Sequence, residues 1–303
     1  MKLVECVPNF SEGRRPEVLD AIVGEMTAVE GVRLLDREMD ADHNRAVVTI
    51  VGEPEAVLEG AFRGMAKAAE LIDLTKHEGE HPRMGATDVV PFVPVKGVTM
   101  DDCVELAKKL GERVGRELEI PVFLYESACT RPERQNLAKV RKGQFEGLCE
   151  EIGSNPAREP DYGPCRIHPT AGATAIGARP FLVAYNINLG TSDVGVAKTI
   201  ARAIRHSGGG LRHVKAMGFE IKDRGIAQVS INMVNFKGTP LFRAFEMVKS
   251  EAERYGVPVI GSEVVGLVPA DALIDAAEFY LRLEDFKRDQ VLENRLSERE
   301  GDE

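Results

Sequence analysis

The strongest constraint on the fold is an order of strands and helices that occurs twice along the chain. In the first half, short apolar runs and apolar residues at helical spacing predict a strand at residues 3–7, a helix at 16–29, strands at 32–36 and 46–51, a helix at 53–72 and a strand at 89–93. In the second half the same order is predicted at 181–187, 193–205, 211–219, 227–232, 241–255 and 257–260. The sequence therefore predicts two βαββαβ halves that share a pattern without sharing residues.

This pattern predicts an α/β (α+β) fold of two similar subdomains. Each half would form a mixed sheet with helices on its outer face, because the apolar face of a sheet must be covered. We expect the uncovered faces to border a ligand cleft between the subdomains. The predicted boundaries are 1–178 for the first subdomain with its connecting segment, 179–283 for the second and 284–303 for a charged tail. Helices at 99–118 and 270–283, a strand at 122–125 and a loop-rich connection at 153–179 complete the prediction.

Composition excludes several classes of protein. The chain has 303 residues, of which 43% are hydrophobic, and a formal net charge of −10, which argues against a surface that coats nucleic acid or an anionic membrane. Glu5 and Pro8 interrupt the N-terminal apolar run, and no segment is apolar over the length of a membrane span. The five cysteines are odd in number and include no CxxC pair, which fits a reducing compartment. We expect a cytoplasmic protein, and a homodimer as the commonest assembly of such enzymes.

The segment KHEGEHPRMGATDVVPF, residues 76–92, concentrates the groups that carry acid–base chemistry. It contains two histidines, one arginine and three carboxylates in a predicted loop that enters a strand. Histidine titrates near neutral pH and arginine binds carboxylates, so this mixture suits proton transfer on an anionic substrate. A solvated polar loop without a catalytic role is the alternative.

A zinc site must also be considered in this segment. His77, Glu78 and His81 match the HExxH pattern, which in metalloproteases places two zinc ligands on one face of a helix. Gly79 and Pro82 disfavour that helix, and the sequence identifies no third ligand. We therefore predict that the chain holds no metal.

A second segment, DYGPCRIHPTAGATAIGARP from residue 161, is rich in glycine. Glycines allow the backbone to approach a flat ligand closely, and Arg166 and Arg179 could meet carboxylates. A plain interdomain linker is the alternative.

Six motifs together resemble the glutamate formimidoyltransferases. They are VECVPNFSEGR at 4–14, LLD at 34–36, NR at 44–45, HEGEHPRMGATDVVPF from 77, YNINLG from 185 and VVGLVP from 264. The resemblance covers residues 3–280. It implies a formiminotransferase domain of two α/β subdomains with a folate-binding cleft between them, and tetrahydrofolate as a co-substrate.

The resemblance also assigns roles to residues. It puts the catalytic histidine at His81 and the folate-contacting segment at residues 163–172. The residues of that segment are Gly163, Pro164, Cys165, Arg166, Ile167, His168, Pro169, Thr170, Ala171 and Gly172. We further predict substrate contacts by Asn9, Asn44, Arg45 and Arg83. Candidates for orienting a histidine or the substrate amine are Asp36, Glu38 and Asp40.

The implied reaction moves a formimino group from N-formimino-L-glutamate to N5 of tetrahydrofolate, giving 5-formiminotetrahydrofolate and glutamate, a step of histidine degradation. Two alternatives stay open, namely formyl transfer between glutamate and 5-formyltetrahydrofolate, and a folate-binding protein without turnover. Some relatives carry a cyclodeaminase domain after the transferase, whereas 20 residues follow Leu283 here, so we expect no deaminase activity.

Overall fold

The chain forms two sheets, and each sheet is built from a different half of the sequence. A computed structural model describes residues 2–299, except for the side chains of residues 297–299. The described residues up to Arg179 form one unit, and those from Pro180 form the other. Among the described residues, no helix is long and apolar enough to cross a membrane.

The first unit contains the predicted βαββαβ order with additional elements. Its strands are β1 (Leu3–Cys6), β2 (Asn9–Phe10), β3 (Arg33–Asp40), β4 (Arg45–Gly52), β5 (Thr87–Lys96), β6 (Val122–Glu126) and β7 (Thr174–Ala178). Its helices are α1 (Pro16–Thr27), α2 (Pro54–Leu71), α3 (Met100–Glu117), α4 (Leu137–Val140) and α5 (Gln144–Glu151). The elements β2, α4, α5 and β7 are not predicted by the sequence pattern.

Local sequence signals explain where the long helices begin. Pro16 and Pro54 occupy the first turns of α1 and α2, where the missing N–H of proline has no helical partner to lose. Thr99 caps α3, because its hydroxyl accepts from the N–H of Asp102 at 3.2 Å while the Asp102 carboxylate accepts from the N–H of Thr99 at 2.8 Å.

The strands of the first unit lie in the order β3-β4-(β1, β2)-β5-β7-β6, with β1 and β2 both between β4 and β5. Pairing is antiparallel as far as β5 and parallel beyond it, so the sheet is mixed. The helices α1, α2 and α3 cover one face around Ile22, Met65 and Leu110. The short helices α4 and α5 cover the opposite face of β5, β7 and β6 through Val140 and Leu148. This end of the sheet therefore has helices on both faces.

The prediction of a loop-rich connection at 153–179 is wrong in its last part, because that segment contains β7. β7 lies between β5 and β6 and pairs with both in parallel. Its sequence, TAIGA, is buried at every position and consists mainly of small residues. A strand that is buried on both faces shows no alternation of polar and apolar residues, and alanine and glycine have low strand propensity. The sequence pattern therefore gives no sign of the strand.

The second unit contains the predicted order without additions in its sheet. Its elements are β8 (Val183–Leu189), α6 (Val194–Ile204), β9 (Val214–Ile221), β10 (Ile226–Met233), α7 (Leu241–Glu253), β11 (Val259–Val265) and α8 (Ala270–Leu281). The strand order is β11-β8-β10-β9, the ferredoxin-like arrangement, and this sheet is antiparallel throughout whereas the first sheet is mixed. The predicted tail contains α9 (Leu292–Arg299), and its last four residues, 300–303, lie outside the described residues.

Candidate active site

Asn44 forms hydrogen bonds that hold the start of the loop containing His81, the His81 loop. Asn44 adopts a left-handed backbone conformation with φ 48° in the turn before β4. Its side chain accepts from the N–H of Gly13 at 2.9 Å and donates to the carbonyl of Glu78 at 2.9 Å, and its own carbonyl accepts from Nε2 of His77 at 2.9 Å. The structure therefore gives this predicted substrate residue partners within the protein.

The first turn of α5 holds the other side of the same loop in place. The guanidinium of Arg83 donates to both carboxylate oxygens of Glu146, at 2.8 and 2.6 Å, and its Nε donates to Nδ1 of His77 at 3.2 Å. The N–H of Phe145 also donates to the carbonyl of Arg83 at 3.0 Å. Arg83, another predicted substrate residue, is buried and held by these contacts.

His77 uses both of its ring nitrogens in this network. A carbonyl can only accept, so the contact with Asn44 assigns the ring proton to Nε2 and leaves Nδ1 as the acceptor from Arg83. Neither nitrogen of His77 is available to a metal in this arrangement. No group of three or more metal-binding side chains occurs among residues 2–296, whose side chains are described.

His81 lies in the middle of the loop that Asn44 and Arg83 hold in place. Its Nδ1 is 2.7 Å from the carbonyl of Pro82, which assigns a proton to Nδ1 and leaves the lone pair on Nε2. Burial, together with the positive charges of Arg45 and Arg141, lowers the pKa of His81 from its usual 6.5 to about 3. The imidazole is therefore neutral at pH 7, with Nε2 able to accept a proton.

Behind His81, one buried carboxylate joins two arginines. Oδ2 of Asp88 accepts from Nη1 of Arg45 at 2.8 Å and forms an ion pair with Nη2 of Arg141 at 2.7 Å, while Oδ1 accepts from the N–H of Met84 at 3.0 Å. Burial alone would raise the pKa of Asp88, but the two arginines outweigh burial and hold it below its usual range. Asn9 accepts from Nε and Nη2 of Arg45 at 3.1 and 2.8 Å, so two predicted substrate residues lie together in this cluster.

The three acidic residues predicted to orient a histidine do not hydrogen-bond His81 within the described part of the chain. Asp40 binds His43 instead, through the ring Nδ1 at 2.9 Å and the backbone N–H at 2.8 Å. The ring of His43 lies 6.3 Å from that of His81, edge to face. Asp36 accepts from the N–H of the adjacent Arg37, and burial followed by the charge of Asp36 raises the pKa of Glu38.

The glycine-rich segment forms backbone hydrogen bonds with the chain on both sides of the His81 loop. His168 and Gly172 exchange backbone hydrogen bonds of 3.2 and 3.1 Å, and the left-handed φ of 71° at Gly172 closes this turn. The N–H of Leu74 donates to the carbonyl of Thr170 at 2.8 Å. The N–H of Ala86 donates to the carbonyl of Ala171 at 2.9 Å. The His81 loop and the glycine-rich segment, the two candidate sites that the sequence indicates, are therefore neighbours in the first unit.

The two arginines that the sequence suggests as partners for carboxylates, Arg166 and Arg179, lie on either side of β7 in the chain. Arg166 is exposed within the glycine-rich segment and forms an ion pair with Glu119 at 2.8 Å. Arg179 follows β7, where its N–H donates to the carbonyl of Phe92 at 3.0 Å and its charge opposes the burial that raises the pKa of Glu5. The two arginines therefore contact different parts of the first unit.

Sequence reasoning missed Arg141 and His43 as members of the site. Arg141 follows α4 in a stretch without a recognised motif, and it reaches Asp88 from 53 positions away in the chain. His43 stands beside Asn44, but only the fold brings its ring near His81.

Comparison with known proteins supports one family for the whole described fold. The family model "Formiminotransferase domain, N-terminal subdomain" matches residues 3–179, and "Formiminotransferase domain" matches residues 184–296. Relatives include Glutamate formimidoyltransferase of Streptococcus pyogenes serotype M1, 58% identical over 97% of this chain and 99% of the relative, and that of Thermoplasma acidophilum, 49% identical over 98% of each. Formimidoyltransferase-cyclodeaminase of Mus musculus is 45% identical over 97% of this chain, which spans 56% of that relative. The chain belongs to the formiminotransferase family.

Proposed function

We propose that this chain transfers the formimino group of N-formimino-L-glutamate to N5 of tetrahydrofolate, releasing glutamate. The observation that carries the proposal is the family match across both units, together with a bacterial relative named Glutamate formimidoyltransferase that is 58% identical over 97% of the chain. Tetrahydrofolate is a co-substrate in this reaction and is consumed in each turnover.

The reaction requires one proton to move between two nitrogens. N5 of tetrahydrofolate attacks the formimino carbon and forms a tetrahedral intermediate, and N5 then loses its proton. The bond from that carbon to the glutamate nitrogen breaks with its electron pair staying on nitrogen, which takes up a proton. His81 supports this transfer because its neutral Nε2 can accept the first proton and return it to the departing nitrogen.

The remaining predicted residues divide into three groups in this proposal. Arg45 and Asn9 belong to the charged cluster beside His81, where a substrate carboxylate would find a positive environment. Asn44 and Arg83 shape the loop that presents His81. Residues 163–172 are proposed to contact folate, supported by the junction of this segment with the His81 loop.

A donor comparison tests the proposal. The purified chain is incubated with tetrahydrofolate and either N-formimino-L-glutamate or N-formyl-L-glutamate, and folate products are separated and identified by mass. We expect 5-formiminotetrahydrofolate from the first donor at a rate far above that of formyl transfer from the second. Preference for the formyl donor would replace the proposal with formyl transfer, and binding of tetrahydrofolate without product would replace it with a binding protein. The cytoplasmic location and the homodimer stay predictions.

A further inference from the structure

The cluster behind His81 carries more positive than negative charge. Arg45 and Arg141 share the single carboxylate of Asp88, and the other partner of Arg45 is the neutral amide of Asn9. These side chains are 9%, 13% and 0% exposed for Arg45, Arg141 and Asp88. Holding an uncompensated charge away from water is costly, so a buried excess of one positive charge favours the binding of an anion.

The unused hydrogen-bonding capacity of this cluster belongs to Arg141. Arg45 donates through Nε and through both of its terminal nitrogens. The Nε–H of Arg141 is buried and has no hydrogen-bond partner among the described residues, while its Nη2 binds Asp88. A buried donor on a charged group is costly to leave unsatisfied, and a carboxylate is the ligand that a guanidinium pairs with best.

The backbone around Arg141 is held in place by a tight turn. The N–H of Arg141 donates to the carbonyl of Leu137 at 3.0 Å, and its carbonyl accepts from the N–H of Gln144 at 2.8 Å. Gly143 and Gln144 both adopt left-handed conformations, with φ of 83° and 57°. Two residues later, the first turn of α5 supplies Glu146 to Arg83. Arg141 therefore lies in the turn that leads into α5, the helix that also holds the His81 loop in place.

We propose that Arg141 is a substrate-binding residue whose guanidinium, held on Asp88 beside Arg45, takes a carboxylate of the amino-acid substrate. The identity of that substrate rests on the proposed function, whereas the anion site itself rests on the charge and the unused donor. The binding residue lies outside every motif that the sequence offered.

Occupation of this site has a consequence for His81. The charged and titratable groups that face His81 are Arg45 on β4, Arg141 after α4, Asp88 on β5 and His43 in the turn before β4. The two arginines disfavour the protonated imidazole. A carboxylate docked on Arg141 offsets part of their field, so the pKa of His81 rises when the substrate binds. Substrate binding then makes His81 a stronger base for the proton of N5.

The test uses L-glutamate, the expected product, as the probe on the full chain. In protein labelled with ¹⁵N-arginine and ¹³C-histidine, we expect L-glutamate to shift the Nε–H signal of Arg141 saturably and to raise the pKa of His81 by about one unit or more. Arg141→Lys identifies the Nε–H signal by removing it. It should also weaken L-glutamate binding roughly ten- to a hundredfold while leaving tetrahydrofolate affinity within about twofold. Arg116→Lys, the same substitution at an exposed site on α3, is the matched control and should change neither affinity.

Each outcome decides the inference. Unchanged L-glutamate affinity in Arg141→Lys, or no response of Arg141 and His81 in the unsubstituted chain, overturns it. If Arg141→Lys does not fold, the response of His81 in the unsubstituted chain decides alone. A chain that binds L-glutamate at Arg141 yet forms no formimino product supports the inference and refutes the proposed function.

Discussion

At the scale of single residues, the charge state of His81 governs what it can do. Its Nδ1–H is bound to the carbonyl of Pro82, so Nε2 is the nitrogen that can exchange a proton with a substrate. A low pKa keeps the imidazole neutral and, in the proposed mechanism, would make its protonated form a strong acid toward the departing nitrogen. The low pKa also makes His81 a weak base toward the proton of N5. The carboxylate of the bound substrate would raise this pKa and so strengthen the base.

Replacing His81 by alanine tests its catalytic role. We expect His81→Ala to lower turnover by roughly 10²-fold or more, because general acid–base catalysis contributes about that much. Tetrahydrofolate affinity, measured by calorimetry, should stay nearly unchanged. His206→Ala, at an exposed histidine of the second unit, is the control and should keep full turnover. Near-normal turnover of His81→Ala would remove His81 from the mechanism.

Acid should destabilise the fold through His81. The unfolded chain binds a proton at this residue near pH 6.5, whereas burial and the two arginines lower the pKa in the folded chain to about 3. Between these pH values the unfolded state binds more protons, so the free energy of unfolding falls as the pH falls. His81→Ala should therefore lose less stability than the unsubstituted chain between pH 7 and pH 4 in urea unfolding. Equal losses would show that His81 titrates normally.

The residues of the site were only partly readable from the sequence. His81, Asn9 and Arg45 were predicted, and the structure places them together. Arg141 could not be predicted, because its contact with Asp88 depends on how a short helix packs against the sheet. Asp40, one of the three candidates for orienting a histidine or the substrate amine, binds His43 three residues later in the chain and does not bind His81.

At the scale of elements, glycines determine how closely the two loops of the site approach. A Cβ on Gly172 would lie 2.4 Å from the carbonyl oxygen of Met84, and its φ of 71° is unfavourable for other residues. A Cβ on Gly85 would lie 1.8 Å from the carbonyl oxygen of Ala173. These glycines allow backbone to touch backbone where the His81 loop meets the glycine-rich segment.

Alanine at Gly172 should therefore damage the fold. We expect Gly172→Ala to lower the free energy of unfolding by about 1 to 3 kcal/mol, because it adds both a clash and a strained conformation. Gly24→Ala is the matched control, since no atom lies within 4 Å of its Cβ position in α1, and it should raise stability by about 0.5 to 1 kcal/mol. Urea unfolding of both variants provides the measurement, and a Gly172→Ala variant as stable as the parent chain would contradict the observed approach.

Arg83 and Glu146 should contribute jointly to holding the His81 loop in place. If Arg83 serves to fasten the loop, Arg83→Ala and Glu146→Ala should raise the Michaelis constant for N-formimino-L-glutamate by similar factors. A double-mutant cycle on the free energy of unfolding should give a coupling of roughly 0.5 to 1 kcal/mol. A much larger kinetic effect of Arg83→Ala alone would instead indicate direct contact with the substrate.

At the scale of the whole molecule, each hydrophobic core formed by the described residues belongs to one unit alone. The core beneath α1, α2 and α3 ends at Ala178, and the core beneath α6 and α7 begins at Val183. The division of the family matches falls in the same interval. The βαββαβ order of both units was predictable from apolar periodicity, whereas the extension of the first sheet was not, since β7 has no pattern of its own.

The first unit should fold when it is produced alone. A fragment of residues 1–179 contains the complete sheet, its helices and the cluster around Asp88. We expect a cooperative thermal unfolding transition by circular dichroism and the same low pKa of His81 as in the full chain. A fragment without cooperative unfolding would show that the first core depends on the second unit.

The position of β7 sets an order of events during synthesis. β7 lies inside the sheet, between β5 and the edge strand β6, but is the last strand of its unit to leave the ribosome, more than 45 residues after β6. Until it emerges, β5 and β6 present facing edges with unpaired backbone groups, which are prone to pair with other chains. The glycine-rich segment directly precedes β7, so the backbone contacts between that segment and the His81 loop form only when this gap is filled. A nascent chain therefore brings the His81 loop and the glycine-rich segment together and closes the gap between β5 and β6 in the same step.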